Sequence, residues 1–177
     1  FRMAKQRVYM SATLGEGGDL ERITGVKKIH RLQVPPGWDK QGIGRRLFVL
    51  PERSLSDTEQ DKLMLDMIRR TGRALVLCPD NRSTKQIREL IKEGIGCQTF
   101  DARQIEESKQ PFVSQASAVA VIANRYDGID FPDEECRLLI VHGLPRATNL
   151  QERFIVMRLG AVALLNDRIL TRVVQAF

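Results

Sequence analysis

The chain has 177 residues, 42% hydrophobic and 28% charged, which suits one compact domain with a short appendage and leaves little room for two complete domains. Its 28 Lys and Arg against 22 Asp and Glu give a formal charge of +6 and a pI near 9.5, a lean towards anionic partners. No apolar run is long enough to span a bilayer and no leader opens the chain, which argues against membrane and secreted classes and for a soluble, cytoplasmic protein, nucleoid-associated in a bacterium.

The basic residues stand as scattered pairs (Lys27-Lys28, Arg45-Arg46, Arg69-Arg70), a pattern that a solvated surface also produces. Cys78, Cys97 and Cys136 are widely spaced, form no CxxC pair, and read as small core residues in a reducing compartment. Short apolar runs alternate with longer stretches of helical period, the pattern of a parallel sheet joined by crossover helices.

The first predicted strand, Arg7 to Ala12, leads through Ser11-Ala12-Thr13 into Gly15-Glu16-Gly17-Gly18. A dinucleotide fold would put its phosphate turn here, but G-x-G-x-x-G needs a third glycine where the chain has Leu20. Small hydroxyl residues at a strand tip can sense what a neighbouring loop binds, and they also fit a plain strand end. From Thr24 to Arg46 the breakers Pro35-Pro36-Gly37 and Gly42-Ile43-Gly44 interrupt any period, as a linker or exposed excursion does. The expected division is therefore a strand-and-turn piece over 1–24, a linker over 25–46 and a main domain over 47–177. Trp38 in the linker reads as a loop anchor before a base-stacking residue, and the isolated His30 and His142 receive no role.

In the main domain a strand is expected at Leu47 to Leu50. A capping box of Ser56 with Glu59 then opens a helix whose apolar face is Leu63, Met64, Met67 and Ile68. Strand Ala74 to Cys78 precedes a second helix, opened by Ser83 with Gln86 and facing inward with Ile87, Leu90 and Ile91. Strands Cys97 to Phe100 and Ala118 to Ala123 follow, the latter opening into Asn124-Arg125-Tyr126-Asp127-Gly128-Ile129-Asp130-Phe131-Pro132.

Ligands of an open parallel sheet bind beyond the carboxyl ends of its strands, so Gly128 and Asp130 stand where a nucleotide or phosphate could be met. An Asp127-Gly128 turn capped by Asp130 accounts for the same residues. A last strand, Arg137 to His142, precedes a helix from Leu150 to Leu165 and another from Ile169, where Arg168, Arg172 and Gln175 share a face. That face fits a phosphate or solvent. The chain opens on Phe1 and stops at Phe177 within an apolar stretch, and both ends read as cuts.

Taken in order, Ser11-Ala12-Thr13, then Leu77-Cys78-Pro79-Asp80-Asn81-Arg82-Ser83, then Asp127-Gly128-Ile129-Asp130-Phe131-Pro132, then Arg172-Val173-Val174-Gln175-Ala176 resemble motifs III, IV, V and VI of superfamily 2 helicases. The wording GIDFP, RLLIVHGLP and RVVQAF is most similar to the DinG-like and XPD-like DNA helicases. The resemblance implies an α/β, RecA-like three-layer sandwich with a mainly parallel sheet, the second motor lobe, preceded by the end of the first. It implies that Ser11, Ala12 and Thr13 couple hydrolysis to strand movement, that Gly128, Asp130 and Gln175 meet the nucleotide, and that Asp130, Arg172 and Gln175 form the catalytic set.

Asn81, Arg82, Ser83, Asn124 and Arg125 would face single-stranded nucleic acid, read as DNA. The other implied partner is the first RecA-like lobe of the same polypeptide, and no membrane is involved. ATP with magnesium would be held mostly by that first lobe, which could also carry the iron-sulfur cluster found in parts of the branch; no metal ligand is assigned here. The chain has no G-x-x-x-x-G-K-S/T, no acidic Walker B run and no Gly-Arg-x-x-Arg finger, so alone it is not expected to hydrolyse ATP. The alternatives are a non-motor nucleic-acid-binding module on a RecA-like fold and a RecA-like docking domain.

Overall fold

The computed structural model describes residues 5–10, 19–33, 35–37, 46–126, 129–145, 150–160 and 162–175, with only the backbone for some helical residues, Arg168 and Gln175 among them. The chain divides into two units, Phe1–Leu50 and Pro51–Phe177.

Among its described residues the first unit has one short helix, α1 (Asp19–Thr24), whose Glu21 carboxylate holds the Arg31 guanidinium at 2.5 and 3.0 Å. The expected strands at its two ends are not formed over 7–10 and 47–50, where Met10 and Leu47 are almost fully exposed. β propensity expresses a fit to a neighbouring strand and an apolar layer, and neither segment has such a partner among the described residues. Ser11, Ala12, Thr13 and Trp38 lie outside the described residues.

In the second unit α2 (Asp57–Thr71) begins at the expected capping box: the Ser56 amide and hydroxyl both donate to the Glu59 carboxylate, at 2.9 and 2.7 Å. These bonds hold the exposed Glu59 carboxyl below its ordinary range. The helix ends at Gly72, whose φ of +77° and amide bond to the Ile68 carbonyl close the last turn. Gly72 also passes so near Ala116 that a β-carbon would stand 2.4 Å from the Ala116 carbonyl oxygen.

The chain continues through β1 (Arg73–Cys78), α3 (Asn81–Gly94), β2 (Gln98–Phe100), α4 (Ala102–Glu107), α5 (Gln110–Val113), β3 (Ala118–Ala123), β4 (Leu138–Val141), α6 (Leu150–Leu159) and α7 (Val162–Gln175). The four strands form one parallel sheet in the order β2-β3-β1-β4, with Leu77 level with Ile122 on one side and Val141 on the other. β1 and β3 are covered on both faces, which is why RALVLC and AVAVIA are continuous apolar runs rather than alternating ones. Alternate residues serve opposite layers. Val76, Cys78, Val119 and Val121 meet Met64 and Ile68 of α2 and Ile87 and Ile91 of α3. Leu75, Leu77, Ala120 and Ile122 meet Phe100, Ile105 of α4 and Phe112 of α5. Each large side chain so buried contributes about 1.5–3 kcal/mol of transfer free energy.

Two helix boundaries differ from expectation. α3 starts at Asn81, because Asp80 is the cap: the Ser83 amide and hydroxyl both donate to its carboxylate, at 2.8 and 2.9 Å. A carboxylate at a helix amino terminus outcompetes the hydroxyl of Ser83, which becomes a donor inside the first turn. The break between the last helices falls at Gly160, with φ +61°, so Ile169 lies within α7 instead of opening it. α4 and α5 were not expected, being too short to show a period. α4 carries its own capping box, Asp101 with Gln104, and α5 has Pro111 in its first turn. The three cysteines are free, Cys78 fully buried and the other two partly so. No helix of the described residues is long and apolar enough to cross a membrane.

Candidate functional site at the carboxyl ends of the sheet

After β1 the chain turns to α3 on one face of the sheet, whereas after the adjacent β3 it turns to the other, where Tyr126 joins the α4–α5 core. Neighbouring parallel strands whose connections leave to opposite faces open a crevice at their carboxyl ends, the usual ligand position in such sheets.

Backbone bonds fix these tips. The Asn124 amide donates to the Cys78 carbonyl at 2.7 Å and the His142 amide to the Leu77 carbonyl at 2.8 Å, tying β3 and β4 to the end of β1. Asn124 is left-handed, with φ 51°, a conformation that asparagine tolerates better than most side chains.

The residues expected to face nucleic acid are mostly brought together here. Asn81 and Arg82 stand exposed on the first turn of α3, and Asn124 and Arg125 stand exposed beyond β3. Two of the group are already engaged. Ser83 is spent on the Asp80 cap, and the Arg125 guanidinium pairs with Glu106 of α4.

Tyr126 lies behind this rim, 3% exposed, and its hydroxyl has no hydrogen-bond partner. Burial pushes that phenol up to about 12; the Cys78 thiol and Asp80 carboxylate act the same way and Arg172 of α7 acts against them. Cys78 is likewise pushed up to about 12, by burial first and Asp80 second, and is eased by Arg88. Arg88 donates to the Val121 carbonyl at 3.2 Å while its Nε is buried without a partner. Sequence reading passed over Asp80, Arg88 and Tyr126 as site residues. Only Asp80 left a signal, standing three positions before Ser83 where an Asx cap belongs.

Asp130, exposed, sits on a loop held from two sides. Its carbonyl accepts from Lys109 Nζ at 2.9 Å, and the same ammonium pairs with Glu135 at 2.8 Å and lies 5.6 Å from the centre of the Phe131 ring. Phe131 packs on the fully buried Phe112 at 5.1 Å. Arg73, at the start of β1, donates to the carbonyls of Glu135, Glu134 and Gln115 at 2.8, 2.5 and 2.8 Å. Gly128 lies outside the described residues, as does the side chain of Gln175, although the backbone of α7 reaches that residue.

The fold and the site together define an α/β unit with a four-stranded parallel sheet, flanked by helices, whose polar residues collect at the carboxyl ends of two adjacent strands. In comparisons with known proteins, no family model, no curated protein and no solved structure matches the chain.

Proposed function

We propose that the chain is the second RecA-like motor lobe of an ATP-dependent superfamily 2 nucleic-acid helicase or translocase of the DinG-like and XPD-like kind, joined to the coupling strand of the first lobe. The observation that supports this reading is a coincidence of order and position. The segment that resembles motif IV runs from the end of β1 into α3, and the one that resembles motif V follows the neighbouring parallel strand β3, so both leave the same end of the sheet.

In this reading Asn81, Arg82, Asn124 and Arg125 hold the backbone of a single strand of DNA. Contacts of this kind ignore sequence and weaken with salt, as a moving track requires. Asp130, Arg172, Gly128 and Gln175 face the nucleotide across the interlobe cleft: an exposed carboxylate can accept from ribose hydroxyls, and a guanidinium suits phosphate oxygens. ATP with magnesium, held mainly by the first lobe, supplies the energy that closing and opening the cleft convert into movement.

The first test is binding of a labelled single-stranded oligonucleotide by fluorescence anisotropy. The reading predicts binding that weakens steeply with salt and is reduced by Arg82→Ala. Binding that ignores both salt and Arg82 would remove the nucleic-acid half of the proposal and favour a RecA-like docking domain. A non-motor binding module would bind in the same way, but the polypeptide that carries it would show no ATP hydrolysis stimulated by single strands.

A further inference from the structure

The Asp130 loop is pinned by a residue outside every segment that carries the helicase resemblance. Lys109 opens α5, and its own carbonyl accepts from the amides of Phe112 and Val113 at 3.0 Å each, so its backbone is anchored to a fully buried ring. From there the side chain reaches the Asp130 carbonyl, the Glu135 carboxylate and the Phe131 ring. The contacted residues span the loop: Asp130 at its exposed end, and Glu135 at the point where its own carbonyl is clamped by Arg73.

We infer that Lys109 is a positioning residue for the nucleotide contact, fixing the Asp130 backbone and with it the direction in which the Asp130 carboxylate leaves the loop. The inference rests on the reading above, in which Asp130 meets ATP. The physical case is one of division of labour. Arg73 binds the Glu134 and Glu135 carbonyls at the far end of the loop and ties them to the Gln115 carbonyl before β3, whereas Lys109 is the charged side chain that bonds the peptide unit carrying Asp130 itself. An ammonium held by a carboxylate and an aromatic face keeps a narrower range of positions than a free lysine, and it passes that restriction to the peptide it binds. Preorganisation of this kind acts on ligand affinity rather than on folding, because the ordering is completed before the ligand arrives.

The test compares the polypeptide that joins this lobe to a first lobe with its Lys109→Met, Lys109→Arg and Asp130→Asn variants in three measurements: titration with a fluorescent ATP analogue and magnesium, anisotropy with a single-stranded oligonucleotide, and thermal midpoint. Lys109→Met should weaken the ATP analogue about tenfold, in step with Asp130→Asn, and leave strand affinity within about twofold. Lys109→Arg, which keeps charge and donor, should recover most of the loss. A merely structural lysine would lower the thermal midpoint and affect both ligands alike. ATP binding unchanged in Lys109→Met, or lost together with strand binding, overturns the role of Lys109 alone. No ATP binding by the unaltered two-lobe polypeptide overturns the nucleotide reading and the Lys109 inference together.

Discussion

The amide of Asn124 donates to the carbonyl of Cys78 at 2.7 Å, so the turn that leaves β3 is fastened to the last residue of β1. Asn124 makes this bond from a left-handed conformation, with φ 51°. Asn124→Gly should therefore keep stability within about 0.5 kcal/mol, while Asn124→Val should cost about 1–2 kcal/mol, because a β-branched side chain collides with its own backbone there. Urea unfolding of the two variants decides the point; equal midpoints would mean that the left-handed turn is not a constraint.

The ion pair between Arg125 and Glu106 has a functional consequence in the proposed strand-binding site. Both side chains are about half exposed, so the pair is worth under about 1 kcal/mol, and a phosphate can displace Glu106. Glu106→Gln should tighten single-strand binding by roughly two- to fivefold at low salt, and Arg125→Ala should weaken it. In the double variant the Glu106 effect should vanish. Tightening that persists without Arg125 would show that Glu106 acts only as a general negative charge.

Two buried groups contribute most to the response of stability to alkali, in the same direction as Cys97 and Cys136, whose thiols burial also pushes up. The Cys78 thiol and the Tyr126 phenol are pushed up from 9.0 and 10.0 to about 12 each, chiefly by burial, so the folded chain holds both protons where the unfolded chain has released them. Their contribution is complete below pH 9 and is lost as pH rises from about 9 to 12. Thermal midpoints measured from pH 7 to 11 should be flat at first and then fall, and Tyr126→Phe should lessen the fall above pH 10. A midpoint that rises across this range would contradict the burial of both groups.

Gly72 joins α2 to β1 at a φ of +77°, with the Ala116 carbonyl where a side chain would go. Gly72→Ala should destabilise the chain by at least about 2 kcal/mol, combining the left-handed penalty with a backbone clash. Gly160→Ala, at φ +61° but with open space around it, should cost only the conformational part, about 1 kcal/mol. A chemical melt of both variants checks the ordering.

The sheet was legible in the sequence because burial on both faces leaves uninterrupted apolar runs, and 73–78, 98–100, 118–123 and 138–141 all fell within or against the expected strands. Residues 47–50 gave the same local signal without forming a strand, since nothing in the sequence reports whether a pairing neighbour is at hand. The Ser56 box could be read because its partners stand three residues apart. Asp80 was missed as a cap because Ser83 offered a second plausible start. For the site, the exposed polar residues at strand tips were visible as composition. The bond from Lys109 to Asp130 spans 21 positions, and Arg73 reaches Glu135 across 62, distances at which no sequence pattern connects two side chains.

The most direct measurement of the central claim is ATP hydrolysis by the polypeptide that joins this lobe to a first lobe, with and without single-stranded DNA, and with Arg172→Ala as the internal comparison. The motor reading predicts hydrolysis that single strands stimulate and that Arg172→Ala reduces by roughly tenfold or more, since a cation facing the transferring phosphoryl group stabilises its charge. Hydrolysis that is absent, or indifferent both to single strands and to Arg172, would contradict it.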